Sequence, residues 1–578
     1  MSVPVKAPTR LLPLTILGTC TVALCLTVAL CLSTPVLAQQ KIPGAIAPGR
    51  IEKQYEKPAV PQSVLEPVVP ETPEQAPPPN AAQIRFTLTE LTVEDSTVFK
   101  DTDFRPIYEK LLGKDIALSD IYKVAEEITA LYGQAGYALS RAMVPVQTIH
   151  GGVVHLKAVE GYVDKVQVEG DAGFLTGRLM AIARHITDSR PLRAQVMERY
   201  LLLANDLPGI SVSSVMKPSE DSKGAATLVL VTDYRPVATS VTMDNRAART
   251  TGPLEETFGV TENSWAGLGE RTDLRYIRGG DNQLRYIDFA HQELLNSEGT
   301  KADFTANQSH SNPGCNLNYL SMNTTSNIAG LDIAPPVLRT RAETLIGKFG
   351  ADYKNSSVKW LGNQIDTEDR TRDLNIGGSY DFADKYQGKT LVTVTLTKGF
   401  NILDATKPGR STPLSTAHGR DDFFKADAEI VRNQAVVDKV NLQMGVSGQW
   451  AANSLLSSEQ FGFGGEPYGR AYDSSELTGD SGLAGKGELQ YTIDDADLKL
   501  KYLQPFIYYD LGVVSHRMPV NQKTNEFASS AGGGLRAGVT DWITGSVELD
   551  KPLTHNVAAY SPGRARDPRM FFNMNIHY

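Results

Sequence analysis

The chain has 578 residues, 41% of them hydrophobic, with 57 lysines and arginines against 66 aspartates and glutamates for a formal charge of -9. That length supplies two or three domains, and the acidic balance, with no basic stripe in any segment, argues against a nucleic-acid partner. Tyrosine (22) outnumbers phenylalanine (18) and glycine is plentiful at 49, a balance suited to amphipathic strands.

At the start, Lys6 and Arg10 precede an apolar run from Leu11 to Leu32 and then Pro35-Val36-Leu37-Ala38. Val36 and Ala38 fill the small-residue positions of a signal-peptidase site, so a signal peptide over 1–38 is expected. A membrane-spanning helix is the competing reading, but the polar, proline-rich segment that follows at once favours the signal. Cys20, Cys25 and Cys31 fall inside it and Cys315 alone remains, so neither an internal disulfide nor a cysteine metal site is expected. Export without disulfides is compatible with a bacterial envelope protein. From Lys57 to Asn80 prolines recur, and at about 3.1 Å per residue this extended linker reaches on the order of 70 Å. Residues 39–82 are therefore read as an N-terminal segment and linker.

Between 83 and 235 one pattern occurs twice. Ile84 to Val93 alternates as a strand, Asp103 to Leu112 and Leu118 to Tyr132 carry helical periodicity, and Leu139 to Val146 and Val153 to Val159 read as strands. The order returns as strand Val163 to Val168, helices Phe174 to Arg184 and Arg193 to Asn205, and strands Ile210 to Met216 and Thr227 to Thr232. Two β-α-α-β-β units, 83–160 and 161–235, follow, each large enough for a small core.

After Pro236 the helical period disappears. Val392, Val394 and Leu396 alternate with threonines, and Leu442, Met444 and Val446 alternate with polar residues or glycine. About 16 such segments are expected over 236–578, an even number as in single-chain outer-membrane barrels. A closed barrel leaves no unpaired edge in lipid; a large soluble sandwich or solenoid is the competing reading. The final stretch places Phe572, Met574, Ile576 and Tyr578 on one face and Asn573, Asn575 and His577 on the other. No H-E-x-x-H metal spacing, G-x-S-x-G elbow or dinucleotide loop is present in the sequence, so no catalysis, metal or cofactor is expected.

The densest glycine stretch, Phe461 to Leu489, surrounds Arg470. A long shaped loop is expected there, folded inward over 461–482. In Phe506 to Gly512, Ile507, Tyr509 and Leu511 share one face, while Phe506, Tyr508 and Asp510 share the other. A carboxylate on the lipid face is costly, so Asp510 is assigned to the lumen. Arg470 is its natural partner, since a guanidinium engages a carboxylate through two parallel hydrogen bonds. The competing reading for Arg470 is a solvated loop charge.

The strings Gly136 to Gln147 (GYALSRAMVPVQ), Val159 to Gly170 (VEGYVDKVQVEG) and Tyr200 to Gly209 (YLLLANDLPG) resemble the POTRA modules of two-partner secretion outer-membrane transporters. These are the TpsB-type hemolysin secretion/activation proteins (ShlB/FhaC/HecB-like). The resemblance runs from the first module to Tyr578 and implies a 16-stranded transmembrane β-barrel preceded by two periplasmic POTRA domains. It also implies that a long extracellular loop enters the barrel and pairs its arginine with an aspartate on an F-x-D-x-G-like strand. Here the loop motif comprises Gly464, Gly465, Gly469, Arg470, Ala471, Tyr472, Gly479 and Asp480, and the strand motif Phe506, Asp510 and Gly512. Ala471 stands where the family carries glycine, and the spacing from Phe506 to Asp510 is longer than in the shortest family form. Pro48 to Lys57 looks like the family's pore-plugging N-terminal helix, with additional linker as the simpler reading.

The function implied is translocation of a dedicated TpsA-type exoprotein, an adhesin or hemolysin-like protein, across the outer membrane without ATP. Its POTRA domains would capture the unfolded substrate by strand addition. Outer-membrane lipid and the barrel-assembly machinery are the further partners implied. A POTRA-containing assembly factor is one alternative, a passive outer-membrane channel another, and a soluble adhesin a third.

Overall fold

The computed structural model describes residues 44–578 apart from 48, 57, 59, 65–74, 223, 362–364, 408–412, 495–498, 521–522 and 561–562. The expected signal peptide with its cysteines, and much of the proline-rich linker, lie outside the described residues.

In the first αβ unit, Val153–Val159 is the central strand, parallel to Glu90–Glu94 and antiparallel to Arg141–Met143. Ile121, Val124, Ile128 and Tyr132 recur at helical spacing on Leu118–Gln134 and bury against Leu91, Val154 and Leu156, which alternate along the strands. The expected continuous strand from Ile84 to Val93 is instead two short ones, Arg85–Thr87 and Glu90–Glu94, in different sheets. The break falls where Leu88 turns fully into the core. The strand expected over Leu139 to Val146 contracts to Arg141–Met143.

Glu160 ties this unit together. Its carboxylate accepts the Thr97 and Val98 N–H groups at 2.8 and 3.0 Å, the Tyr132 hydroxyl at 2.9 Å and the Thr97 hydroxyl. Burial pushes this carboxyl up, but those four donors outweigh it and hold the group below the usual glutamate range.

The second unit repeats the plan. Ala225–Tyr234 lies between Tyr162–Gly170, parallel to it, and Ile210–Pro218, antiparallel to it, with helices Thr176–Asp188 and Ala194–Asn205. Its core of Leu179, Ile182, Ile186, Met197, Leu203 and Leu228 also takes in Leu294 from the barrel. Polar ties reinforce that contact: Arg339 donates to both oxygens of Asp206 at 2.7 and 2.8 Å, and the Tyr200 hydroxyl donates to Glu298 at 2.7 Å.

From Val237 onward the chain forms a closed antiparallel barrel. Asn323–Ala334 and Pro336–Arg339, interrupted at Pro335, both pair with Glu343–Trp360 and make one strand position, so the wall has 16 strands. Closure comes from Ser240–Asp244 pairing antiparallel with Asn573–His577. Apolar side chains such as Phe258, Val260, Leu274, Ile287, Phe304 and Leu331 stand exposed on the outer wall, whereas Ser309, Ser311, Thr324 and Ser326 are buried. That inversion of a soluble protein's pattern is what a lipid-facing exterior and polar lumen require, and it removes the soluble sandwich and solenoid readings.

One expectation needs correcting. The glycine-rich stretch to Leu489 is not loop throughout: Ser481–Tyr491 is a barrel strand pairing with Val440–Ala451 and Tyr502–Ser515. Gly482 on this strand serves close approach, since a Cβ there would overlap the Phe461 ring.

Replacing Glu160 with alanine should destabilise the first unit by about 1 kcal/mol, because it removes a charged acceptor from donors that are half-buried or exposed and can partly turn to water. Amide exchange in the full-length protein should accelerate around Thr97 and in Val153–Val159 while the barrel strands stay protected. Because the folded carboxyl is held low, its contribution is present above the free glutamate range of about pH 4 and is lost as pH falls through the folded value.

Candidate functional site: a loop latched inside the barrel

The loop after Val440–Ala451 turns into the lumen as a two-stranded ribbon, Phe461–Phe463 against Leu477–Gly479. Gly464, Gly465 and Gly469 all adopt positive φ near the ribbon's tip, at +126°, +74° and +98°, which side chains with a Cβ resist. Ala471 needs no such torsion: its φ lies outside the left-handed region and its methyl is fully buried.

Strand Tyr502–Ser515 sets the receiving side. Ile507, Tyr509 and Leu511 are exposed on the outer wall, and Phe506, Tyr508 and Asp510 are buried on the inner one. Arg470 meets Asp510 in a fork, Nε to Oδ2 at 3.1 Å and Nη2 to Oδ1 at 3.0 Å. The Gly469 and Arg470 backbone N–H groups add two more donors to Oδ2, each at 3.1 Å. Asp510 has no exposed surface, so four N–H donors replace the water it lost.

Arg470 also donates through Nη1 to Glu488 on Ser481–Tyr491, and Arg536 grips Glu488 from the other side, with Nη2 at 3.2 Å from Oε2. Two rings floor this row of alternating charge. The Arg470 guanidinium lies 3.5 Å above the Tyr508 ring and that of Arg536 lies 3.8 Å above Phe506. Phe506 therefore supports Arg536, and Tyr508 is the aromatic beneath the latch.

The remaining motif residues fasten the loop. The Tyr472 hydroxyl donates to Ser529 O at 2.8 Å, and Arg569 holds both Asp473, at 2.6 Å, and Ala471 O, at 2.9 Å. Asp480 accepts the Leu455 and Arg517 N–H groups, both at 2.8 Å. Gly479 packs against Val514 and Ser515, and a Cβ on Gly512 would overlap the buried Phe463 ring. The C-terminal signature residues lie apart from this site. Met574 and Tyr578 are exposed on the outer wall, and Phe572 and Ile576 are half-buried.

The N-terminal segment enters the same lumen. Helix is confined to Ile51–Gln54 of the stretch expected from Pro48 to Lys57, both of whose ends lie outside the described residues. Arg50 donates to Ser457 O and Gln460 O at 3.1 and 2.6 Å on one limb of the loop and to the Ser475 hydroxyl at 2.9 Å on the other. Ile51 packs with Ile277, Leu284 and Tyr286 of the wall, and the Tyr55 hydroxyl donates to Glu255. Between Arg50's two carbonyl partners in the chain, Glu459 bridges Lys354 at 2.9 Å and Lys425 at 3.1 Å on the barrel wall.

Sequence reasoning missed Glu488, Arg536 and Glu459, and placed Tyr508 on the inner face without its role beneath Arg470. Strand parity could have found the first two. Glu488 alternates with the exposed Leu489, and Arg536 follows the exposed Leu535, so both point inward.

Substituting Gly512 with valine should force the Phe463 ring out of its seat and loosen the ribbon. The variant should show faster amide exchange over residues 461–479 in detergent-solubilised protein, while a Gly487→Ala control, whose added Cβ meets nothing within 4 Å, should not.

Comparison with known proteins gives these features a context. Residues 86–161 match the POTRA domain of ShlB type, and residues 226–537 match the haemolysin secretion/activation protein family ShlB/FhaC/HecB. The chain is 21% identical over 485 residues to the heme/hemopexin transporter protein HuxB of Haemophilus influenzae, covering 82% of this chain and 85% of the relative. It is 22% identical over 431 residues to the outer membrane transporter CdiB of Escherichia coli O6:K15:H31, covering 71% of this chain and 69% of the relative. Among solved structures, CdiB from Escherichia coli superposes with a TM-score of 0.69 at 18% identity, over 89% of this chain and 94% of that one. CdiB from Acinetobacter baumannii gives a TM-score of 0.61 at 15% identity, over 98% of this chain and all of the other. With a family match spanning more than half its length, this chain belongs to the ShlB/FhaC/HecB family of two-partner secretion transporters, outer-membrane barrels that translocate a partner exoprotein.

Proposed function

We propose that the lumen of this transporter is closed at rest by the inward loop and the N-terminal segment acting together, and that export of the partner begins when both withdraw. The observation that supports this reading is Arg50, whose guanidinium grips both limbs of the loop at once. In this reading Arg470 and Asp510 are the latch that holds the loop inside, Phe506, Gly512 and the loop glycines shape its seat, and residues 48–57 act as the plug. Residues 1–38 direct export of the chain, and residues 161–235 serve as a second POTRA domain behind the first.

The two POTRA units capture the unfolded exoprotein in the periplasm. The strand Glu90–Glu94 in the first and Tyr162–Gly170 in the second each lie at a sheet edge, where an extended peptide can add as a further strand. The barrel then conducts the chain without ATP, with folding outside the cell making the movement directional. The lipid of the outer membrane surrounds the wall, and the barrel-assembly machinery inserts it.

Arg470→Ala leaves the buried Asp510 carboxylate with only the backbone N–H groups of residues 469 and 470, and Asp510→Ala leaves Arg470 with Glu488 as its remaining carboxylate, so each should cost the closed loop position up to about 3–5 kcal/mol, Arg470→Ala the more. Each should raise pore conductance in planar bilayers and reduce secretion of the partner. Wild-type conductance and secretion in both would overturn the latch. The double variant should cost less than the sum of the singles, because both substitutions remove the same Arg470–Asp510 interaction.

Deleting residues 83–235 should leave a heat-modifiable barrel that neither binds the unfolded partner nor secretes it. Retained secretion would favour a passive channel instead.

A further inference from the structure

We propose that the second αβ unit seats Phe174 in the phospholipid headgroup layer of the periplasmic leaflet, beside Trp265 of the first periplasmic turn, so that the bilayer helps set the unit's orientation. This goes beyond the capture role assigned to the unit above and does not depend on the loop latch.

Phe174 is out of place for a soluble module. Its neighbour Leu175 is fully buried in the unit's core, yet Phe174 itself is 70% exposed. It also stands where the unit touches the barrel. A Cβ on Gly267, whose φ is +72°, would come within 2.6 Å of Phe174 O and 3.1 Å of Phe174 Cβ, so the two backbones are in close contact. A second tie fixes the approach: the Tyr234 ring packs on Gly173, and its hydroxyl donates to Asn263 O beside the same turn.

That turn, residues 264–270, carries Trp265 and Leu268, 59% and 42% exposed. On the next periplasmic turn the chain divides its side chains between two environments. Leu294 enters the core of the second unit, whereas Leu295 is 50% exposed and keeps the parity of Ile287 on the lipid-facing side of Leu284–Leu294. Phe174, Trp265, Leu268 and Leu295 thus continue the outer apolar wall down to its periplasmic rim. Aromatic and aliphatic side chains at that level meet the headgroup boundary, where an apolar ring gains from partial burial. Continuity with the lipid-facing wall is the reason to assign the patch to phospholipid rather than to the translocating partner.

The test places p-benzoylphenylalanine at position 174 of the full-length protein in nanodiscs of phosphatidylethanolamine and phosphatidylglycerol, with the partner exoprotein added in a parallel sample. The substitution keeps the aromatic ring, and position 174 lies outside the core, so heat-modifiability should be unchanged. After irradiation, mass spectrometry should find phospholipid adducts at 174 as at the lipid-facing position 287, whether or not the partner is present. Adducts at 174 confined to the barrel turn or to the partner, or none at all, with lipid adducts retained at 287, would overturn the proposal. Equal lipid labelling at the fully exposed Val146 of the first unit would overturn it as well, by showing that contact at 174 is unspecific.

Discussion

A carboxylate with no exposed surface has to be answered by donors, and Asp510 is answered by four N–H groups from two consecutive loop residues. Much of the barrel interior is arranged around that requirement. The loop must fold inward to deliver Arg470, and the strand must offer Gly512 so that Phe463 can lie against it. Arg470 keeps a nitrogen to spare, which recruits Glu488 and through it Arg536, so the ion pair extends into a row of alternating charge. Tyr508 and Phe506 face the two guanidinium planes and limit the water that could loosen the row. A buried arrangement of this kind gives geometric definition more than net stability, because desolvation offsets most of its Coulombic gain.

The second constraint is closure in lipid. With no water to satisfy an open edge, every strand needs two neighbours, and the ladder from Val237–Asp244 round to Arg569–His577 supplies them. Closure turns strand parity into a strict rule, since one face meets hydrocarbon and the other a polar lumen. The same parity sends Leu294 into the second αβ unit and Leu295 outward. The barrel and its periplasmic units are therefore joined by packing as well as by the Arg339–Asp206 fork.

Parity also explains which parts of the site were legible in the sequence. Asp510 could be assigned to the lumen because its strand alternates cleanly, whereas the glycine run only singled out Arg470, whose inward pairing rested on the family resemblance. Glu488 was hidden because that run continues into the barrel wall: Gly482, Gly485 and Gly487 read as loop, though all three lie on a strand paired with Tyr502–Ser515. Phe506 fitted the aromatic position of the motif by residue type, yet the ring beneath Arg470 is that of Tyr508, two residues nearer the aspartate. Ala471, where the resemblance expects glycine, is accommodated without backbone strain, since its φ lies outside the left-handed region. The N-terminal segment carried little signal because four helical residues are too few for a periodicity.

Local chemistry in the chain determined the element types, the two β-α-α-β-β units, the alternation of the barrel strands and the inward face of Asp510. Those follow from periods of 2 and 3.6 residues and from the cost of a charge facing lipid, each readable within one segment. The tertiary structure decided what depends on distant segments meeting: the Glu488–Arg536 extension, the grip of Arg50 on both limbs of the loop, and the contact between the second unit and the periplasmic turns. Arg50 and Ser475 lie hundreds of residues apart in sequence, and no local pattern encodes which surfaces a closed barrel brings face to face.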